Sequence, residues 1–132
     1  MKKKVISAGH ICLDITPVFP DITVKKASDL LAPGKLINME AADVHTGGSV
    51  SKILGADVSL AGKVGDDAFG GMIKAALEKY DASEGLIIGE GESTSYSVIL
   101  AIPGIDRIFL HHNGANNTFR AEDIQEEMLE DK

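Results

Sequence analysis

Apolar residues fall in short runs along this chain, and glycine and proline divide the runs. Lys4–Gly9 (KVISAG) reads as a short buried strand that ends at a glycine. Pro17, Pro20 and Pro33 break the stretch from Thr16 to Pro33 into loops and short extended pieces. Lys35–Met39 and Ala42–Thr46 are part polar, as strands with one wet face are. Thr46-Gly47-Gly48-Ser49 is a turn that feeds a helix, and Ala56–Ala61 (ADVSLA) is a further strand. Asp66–Tyr80 carries the clearest helical pattern. Phe69, Met72, Ile73, Ala76, Leu77 and Tyr80 recur on one stripe, and Asp66 or Asp67 can cap its start. Leu86–Ile88 is a short strand. Thr94–Ile102 and Ile105–His112 form a hairpin around Pro103-Gly104, and a last helix begins at Thr118 or Ala121 and runs to about Leu129.

Strands separated by helices predict a parallel α/β layer. The pieces at about 16–46 and the hairpin at 94–112 alternate polar and apolar residues instead. That pattern suits a small sheet open on one face, such as a lid.

Composition narrows the class. The 132 residues suffice for one compact domain, and the 14 glycines are too many for a helical bundle. Aromatic residues are only 5%, so Val, Ile, Leu and Ala must build the core. A net charge of −7 repels phosphate backbones and argues against a nucleic-acid partner. No apolar stretch approaches the ~20 residues that cross a bilayer, so no membrane role is expected. The apolar run after Lys2-Lys3-Lys4 is too short for a signal peptide, and Cys12 has no second cysteine to pair with. A cytoplasmic location follows as the expectation, and the sequon Asn116-Asn117-Thr118 is then a chance match.

Four positions are candidates for binding. Asp14 follows the first strand, where open α/β sheets bind their ligands, and its carboxylate can accept hydrogen bonds from two neighbouring hydroxyls. It could equally end a turn. Gly47 and Gly48 let backbone N–H groups approach ligand oxygens closely, or simply make a tight turn. Asn116, in Gly114-Ala115-Asn116, could reach a hydroxyl or satisfy a turn. The run Gly62-Lys63-Val64-Gly65-Asp66-Asp67-Ala68-Phe69-Gly70 reads as a strand-to-helix turn, with Lys63 a solvated charge. No phosphate-binding P-loop motif is present. His111 and His112 face opposite sides of one strand, His10 and His45 stand apart, and no metal site is expected.

The order of these motifs carries more than any one of them. G-x-x-x-x-D, proline-broken lid strands, G-G, G-K-V-G-D-D-x-F-G, T-x-Y-x-V-I-L and G-A-N follow one another along nearly the whole chain. This order resembles the ribokinase-like (PfkB) carbohydrate kinase family, specifically its N-terminal half. The resemblance implies a ribokinase-like three-layer α/β/α core, here partial, with a small β-sheet lid. It implies an enzyme that moves the γ-phosphoryl group of ATP, with Mg2+, onto a hydroxyl of a sugar or nucleoside. Asp14, Gly47 and Gly48 match positions that contact the sugar, and Asn116 lies in a matching segment near that pocket. Lid strands pair between subunits in some relatives, which implies a homodimer.

The chain departs from the family pattern in two places. The G-A-G-D motif, whose Asp is the catalytic base, occurs nowhere in it. The C-terminal ATP-binding half is missing from these 132 residues. They are expected to be inactive alone, to hold neither ATP nor Mg2+, and to supply the substrate-binding half of a longer parent. The alternative is a polyol-binding or dimerising fragment without chemistry. Lys25, Lys26 and Lys35 would bear on a phosphosugar, or are solvated.

The second departure follows Gly48. Lys52 stands where the family has an Asn that helps hold the sugar, and Leu54-Gly55 arrives at once. Ser49–Leu54 is too short to span a sheet as a helix rising ~1.5 Å per residue. Either a segment has dropped out of the sequence or the chain carries a deletion, and the first is the expectation. Mass spectrometry of the intact protein decides, because a mass of 13.9 kDa leaves only the deletion.

Overall fold

The computed structural model describes residues 5–19, 42–46 and 57–130, and only the backbone of 43–46. The strand expected at Lys35–Met39, the three lid lysines, the Gly47-Gly48 pair and the short segment after it lie outside the described residues.

Two sheets make up the described structure. The first is parallel, with β4 (Val58–Gly65) between β1 (Val5–Ala8) and β5 (Leu86–Gly89). The second has the order β3 (Ala42–Thr46), β2 (Leu13–Pro17), β6 (Tyr96–Leu100), β7 (Ile108–His112). Within it β2 runs parallel to β6, while β3 and β7 are antiparallel to their neighbours. The chain thus passes from the first sheet to the second after β1 and again after β5. This is the mixed α/β class that the sequence pattern predicts.

The single α-helix among the described residues, α1 (Ala68–Glu78), covers one face of the first sheet. Asp67 is its N-cap and accepts from Gly70 N at 2.9 Å, so one of the free N–H groups of the first turn is satisfied. Ile73 and Leu77 face the sheet and pack with Val58, Leu60, Val64 and Ala82. Val64 and Ile73 are fully buried, and each such side chain contributes roughly 1.5–3 kcal/mol by leaving water. Met72 and Tyr80, expected on the same stripe, are exposed, and Tyr80 lies beyond the helix, which ends at Glu78 with Lys79 as its C-cap.

Several expectations are corrected. β4 does not end at Ala61 but runs on through Gly65, so Gly62–Val64 belong to the strand and the turn is confined to Asp66-Asp67. β1 is largely exposed rather than buried, since it pairs on one side with β4 and no described helix lies over it. Asp14 lies within β2, not in a turn after the first strand.

The last helix is absent among the described residues. In its place are two short 3-10 turns, Ala121–Asp123 and Glu126–Met128, and a third, Gly114–Asn117, precedes them. In an α-helix over this stretch Glu122 would face Glu126, Asp123 would face Glu127, and Glu126 would face Glu130, all pairs of like charge four residues apart. Asp123 instead turns back to accept from Arg120 N at 2.8 Å.

Gly70 explains why the G-K-V-G-D-D-x-F-G run ends in glycine. A Cβ there would stand 2.1 Å from the Gly65 carbonyl oxygen and 2.9 Å from Thr94 Oγ1. Gly71, the next residue, has open space within 4 Å of such an atom. Urea denaturation should therefore show Gly70→Ala destabilised by roughly 1–3 kcal/mol, the range for overpacking. Gly71→Ala should be neutral or stabilised by up to about 1 kcal/mol, the helix propensity gain.

Candidate functional site

Neighbouring strands place their paired residues on one face. The register of the second sheet therefore sets Asp14, Ser97 and His111 in a row on one face, and Leu13, Tyr96 and His112 on the other. The second row meets the core: Leu13 is buried, and Tyr96 meets Phe69 of α1 edge-on at 5.3 Å between ring centres. The first row is polar. Ser97 is buried, with Oγ 2.9 Å from His111 Nδ1. His111 in turn lies against His10, with ring centres 5.6 Å apart.

Asp14 is half-buried, and its Oδ1 accepts from the Cys12 thiol at 3.3 Å. The thiol pays for that neighbour in acidity. Burial, the hydrogen bond to Asp14 and the charge of Asp14 together push the Cys12 pKa from 9.0 up to about 11. His10, Cys12, Asp14, Ser97 and His111 thus form one polar cluster at the crossing from β1 to β2. A carboxylate acceptor, a serine hydroxyl and two imidazoles suit a ligand with several hydroxyl groups. Sequence reasoning singled out Asp14 but not Ser97 or His111. The polar step in Tyr96-Ser97-Val98 was the available signal, and only the strand register shows which residues it joins.

His111 and His112 do face opposite sides. His112 Nε2 lies 2.8 Å from Ser93 Oγ, and its ring meets Tyr96 at 5.5 Å. The side chain of His45 is not described, although its backbone pairs with Asp14.

The Asn116 side chain bridges the backbone of Ile11. Its Oδ1 accepts from Ile11 N at 3.2 Å, and its Nδ2 donates to Ile11 O at 2.8 Å. Ile11 comes close to β4 because Gly62 has no side chain, and a Cβ there would stand 3.0 Å from Ile11 Cγ2. Gly47 and Gly48 lie outside the described residues, so the structure does not relate them to Asp14.

Lys63 is not the solvated charge expected of it. Its side chain is only 12% exposed and its Nζ lies 2.7 Å from Glu92 Oε1. Nζ also donates to Thr118 Oγ1 at 3.0 Å, and that hydroxyl donates to Glu92 Oε2. The hydrogen bond from Lys63, then that from Thr118, holds the Glu92 carboxyl below its usual range. Glu92 is 29 residues away in sequence, so no local pattern reveals the pair.

Two hollows flank the first sheet. One, of about 150 Å3, is lined by Gly9, His10, Ile11 and Gly62 among others. The other, of about 590 Å3, lies between Ser59, Ile87 and the acidic turns around Asp123, Glu127 and Glu130. Among the described residues no group of three His, Cys, Asp or Glu side chains converges to hold a metal ion. None of the described helices is long and apolar enough to cross a membrane.

The acidity of Cys12 gives a direct probe of the cluster. At pH 8 a thiol with pKa near 11 is only about 0.1% thiolate, the reactive form. Iodoacetamide should modify Cys12 at least about tenfold more slowly than a free thiol. Asp14→Asn removes the neighbouring charge and should speed the reaction. An unchanged rate in Asp14→Asn would show that the thiol and carboxylate are not partners in solution.

No family model matches the chain. A curated protein of Arabidopsis thaliana named "Probable fructokinase-2" is 26% identical over 132 aligned residues, covering 97% of this chain and 38% of the relative. The chain thus spans less than half the length of the curated relative it matches. The crystal structure of a fructokinase from Xylella fastidiosa superposes with a TM-score of 0.71 at 20% identity, over 99% of this chain and 39% of that one. A sugar kinase of Pyrococcus horikoshii, solved in complex with ATP, gives 0.69 at 23% identity, over 96% of this chain and 40% of that one. A ribokinase of Giardia lamblia gives 0.69 at 19% identity, over 93% of this chain and 37% of that one. With the motif order, the paired sheets and these likenesses together, the chain has a ribokinase-like α/β fold and matches about two fifths of the length of sugar kinases of that fold.

Proposed function

We propose that this chain is the substrate-binding half of an ATP-dependent kinase that phosphorylates a hydroxyl group of a sugar or nucleoside. The observation that carries the reading is the placement of Asp14. Its half-buried carboxylate stands in a polar row with Ser97 and His111, where the chain crosses between two sheets. A carboxylate so placed accepts hydrogen bonds from hydroxyls, and charged acceptors make the stronger bonds of this kind. Gly47 and Gly48 add backbone N–H donors to the same ligand in this reading. The likeness to a fructokinase and to a sugar kinase that binds ATP supports the reaction class.

The described residues fit the substrate better than the nucleotide. They carry no triad of metal-ligating side chains, and the chain has no G-A-G-D sequence. In this reading no group that orients ATP, holds Mg2+ or takes the hydroxyl proton is assigned to the described residues, and no step at the nucleotide is assigned to this chain. Its own residues bind the sugar, fix the direction of the acceptor hydroxyl and exclude water from it. Phosphoryl transfer depends chiefly on such positioning and on charge neutralisation.

The test is a phosphoryl-transfer assay of the full-length parent protein with ATP and fructose, ribose or a nucleoside as acceptor. One acceptor should be phosphorylated. Asp14→Asn should lower kcat/KM for it by about 10- to 100-fold, the equivalent of a hydrogen bond to a charged group worth ~1.5–3 kcal/mol. Binding of the acceptor without turnover would leave a polyol-binding protein. Full activity in Asp14→Asn would remove Asp14 from the site.

A further inference from the structure

The segment between β1 and β2 has a demanding path. It must leave one sheet after Ala8 and enter the other at Leu13. Its ends are tied by main-chain bonds, from Gly9 N to Ala61 O at 3.0 Å and from Leu13 N to Ser95 O at 3.0 Å. Between them Ile11 is in none of the strand pairings among the described residues. The side chain of Asn116 fills the role of a strand partner. A planar amide offers one acceptor and one donor group in a fork, and here they take the N–H and the C=O of the same residue. This is the pattern by which one strand residue pairs with another across an antiparallel ladder.

Asn116 is itself held firmly. Ala115, next to it, is fully buried and donates its N–H to Ser93 O at 2.8 Å. The side chain therefore cannot turn toward a ligand without stripping both partners from Ile11, which is 8% exposed. Leaving buried backbone groups unpaired costs roughly 1–3 kcal/mol each.

We propose that Asn116 is a positioning residue: it clasps Ile11 and so sets the direction in which His10, Cys12 and Asp14 leave the crossing, without touching the sugar itself. The clasp is seen in the structure, whereas its role in sugar recognition rests on the function proposed above. Only Cys12 and Leu13 separate Ile11 from Asp14, and the thiol of Cys12 is the one that reaches Asp14.

Three measurements on the full-length protein, with Asn116→Ala and Asn116→Asp, test this. Without ligand, the Ile11 amide should exchange with solvent at least about tenfold faster in Asn116→Ala, while the Ile73 and Leu77 amides of α1 keep their protection. Alkylation of Cys12 at pH 8 should accelerate toward the rate of Asp14→Asn, because the thiol loses its fixed partner. Asn116→Asp keeps an oxygen for Ile11 N but sets an acceptor against Ile11 O, so it should show the same effects in a side chain of unchanged size. For the acceptor sugar identified by the kinase assay, Asn116→Ala should weaken binding, but Asp14→Asn with Asn116→Ala should be within about twofold of Asp14→Asn alone.

Losses that multiply in the double variant would mean a direct contact with the sugar and would overturn the positioning role. Unchanged exchange at Ile11 would overturn the clasp itself. If the unaltered protein binds none of the sugars, the kinase reading fails. Faster exchange and faster alkylation in Asn116→Ala would in that case still establish the clasp as the device that orients Asp14.

Discussion

The described structure depends on how the chain crosses from one sheet to the other while its buried polar groups stay hydrogen-bonded. The junction between β5 and β6 shows the solution. Asp67 caps α1 and at the same time accepts from Thr94 N at 2.8 Å and Thr94 Oγ1 at 2.5 Å. That hydroxyl in turn accepts from Gly65 N at 2.9 Å. One carboxylate and one hydroxyl thus join the end of β4, the start of α1 and the entry to β6. Thr94 and Ser95 are almost fully buried, so each polar group there must be paired. Ser95 Oγ accordingly donates to His112 O at 2.9 Å. Desolvation pushes the Asp67 carboxyl up, but the hydrogen bonds from Thr94 and Gly70 outweigh it and leave the group below 3.8. A carboxylate depressed in this way supports the fold above the unfolded value and loses that support as pH falls through the folded one.

What the sequence makes legible follows from the range of each interaction. α1 is legible because its cap and its apolar stripe lie within one short segment. The 94–112 hairpin is legible because Pro103-Gly104 breaks an otherwise apolar run. Asp67 is legible as a cap but not as a clasp, since Thr94 lies 27 residues on. Lys63 fails in the same way, because its partner Glu92 is set by the packing of turns and not by spacing. The Ile11–Asn116 clasp spans 105 residues, and nothing near either residue announces it. The expected last helix fails for a different reason. Its apolar positions are spaced well enough, but its charges repel at the same helical spacing, and the second pattern wins. Asp14 was marked as chemically apt, yet its partners Ser97 and His111 emerge only from strand register.

On the proposed reading, the polar row is a binding face that is kept ordered before a ligand arrives. Ser97 and His111 satisfy one another, and Asp14 is held by a thiol. A thiol is a weak donor, and its proton is held all the more tightly here by burial and the nearby charge. On the proposed reading, a sugar hydroxyl that displaces Cys12 from Asp14 exchanges a weak hydrogen bond for a stronger one. The carboxylate does not need to move, and little ordering cost remains to be met on binding. On the same reading the orienting work falls on Asn116. The amide oxygen and one amide N–H of Asn116 are taken up by the backbone of Ile11, and on the proposed reading this fixes the crossing from which His10, Cys12 and Asp14 project. On that reading recognition falls to Asp14 and orientation to Asn116, which are linked through the short segment from Ile11 to Asp14.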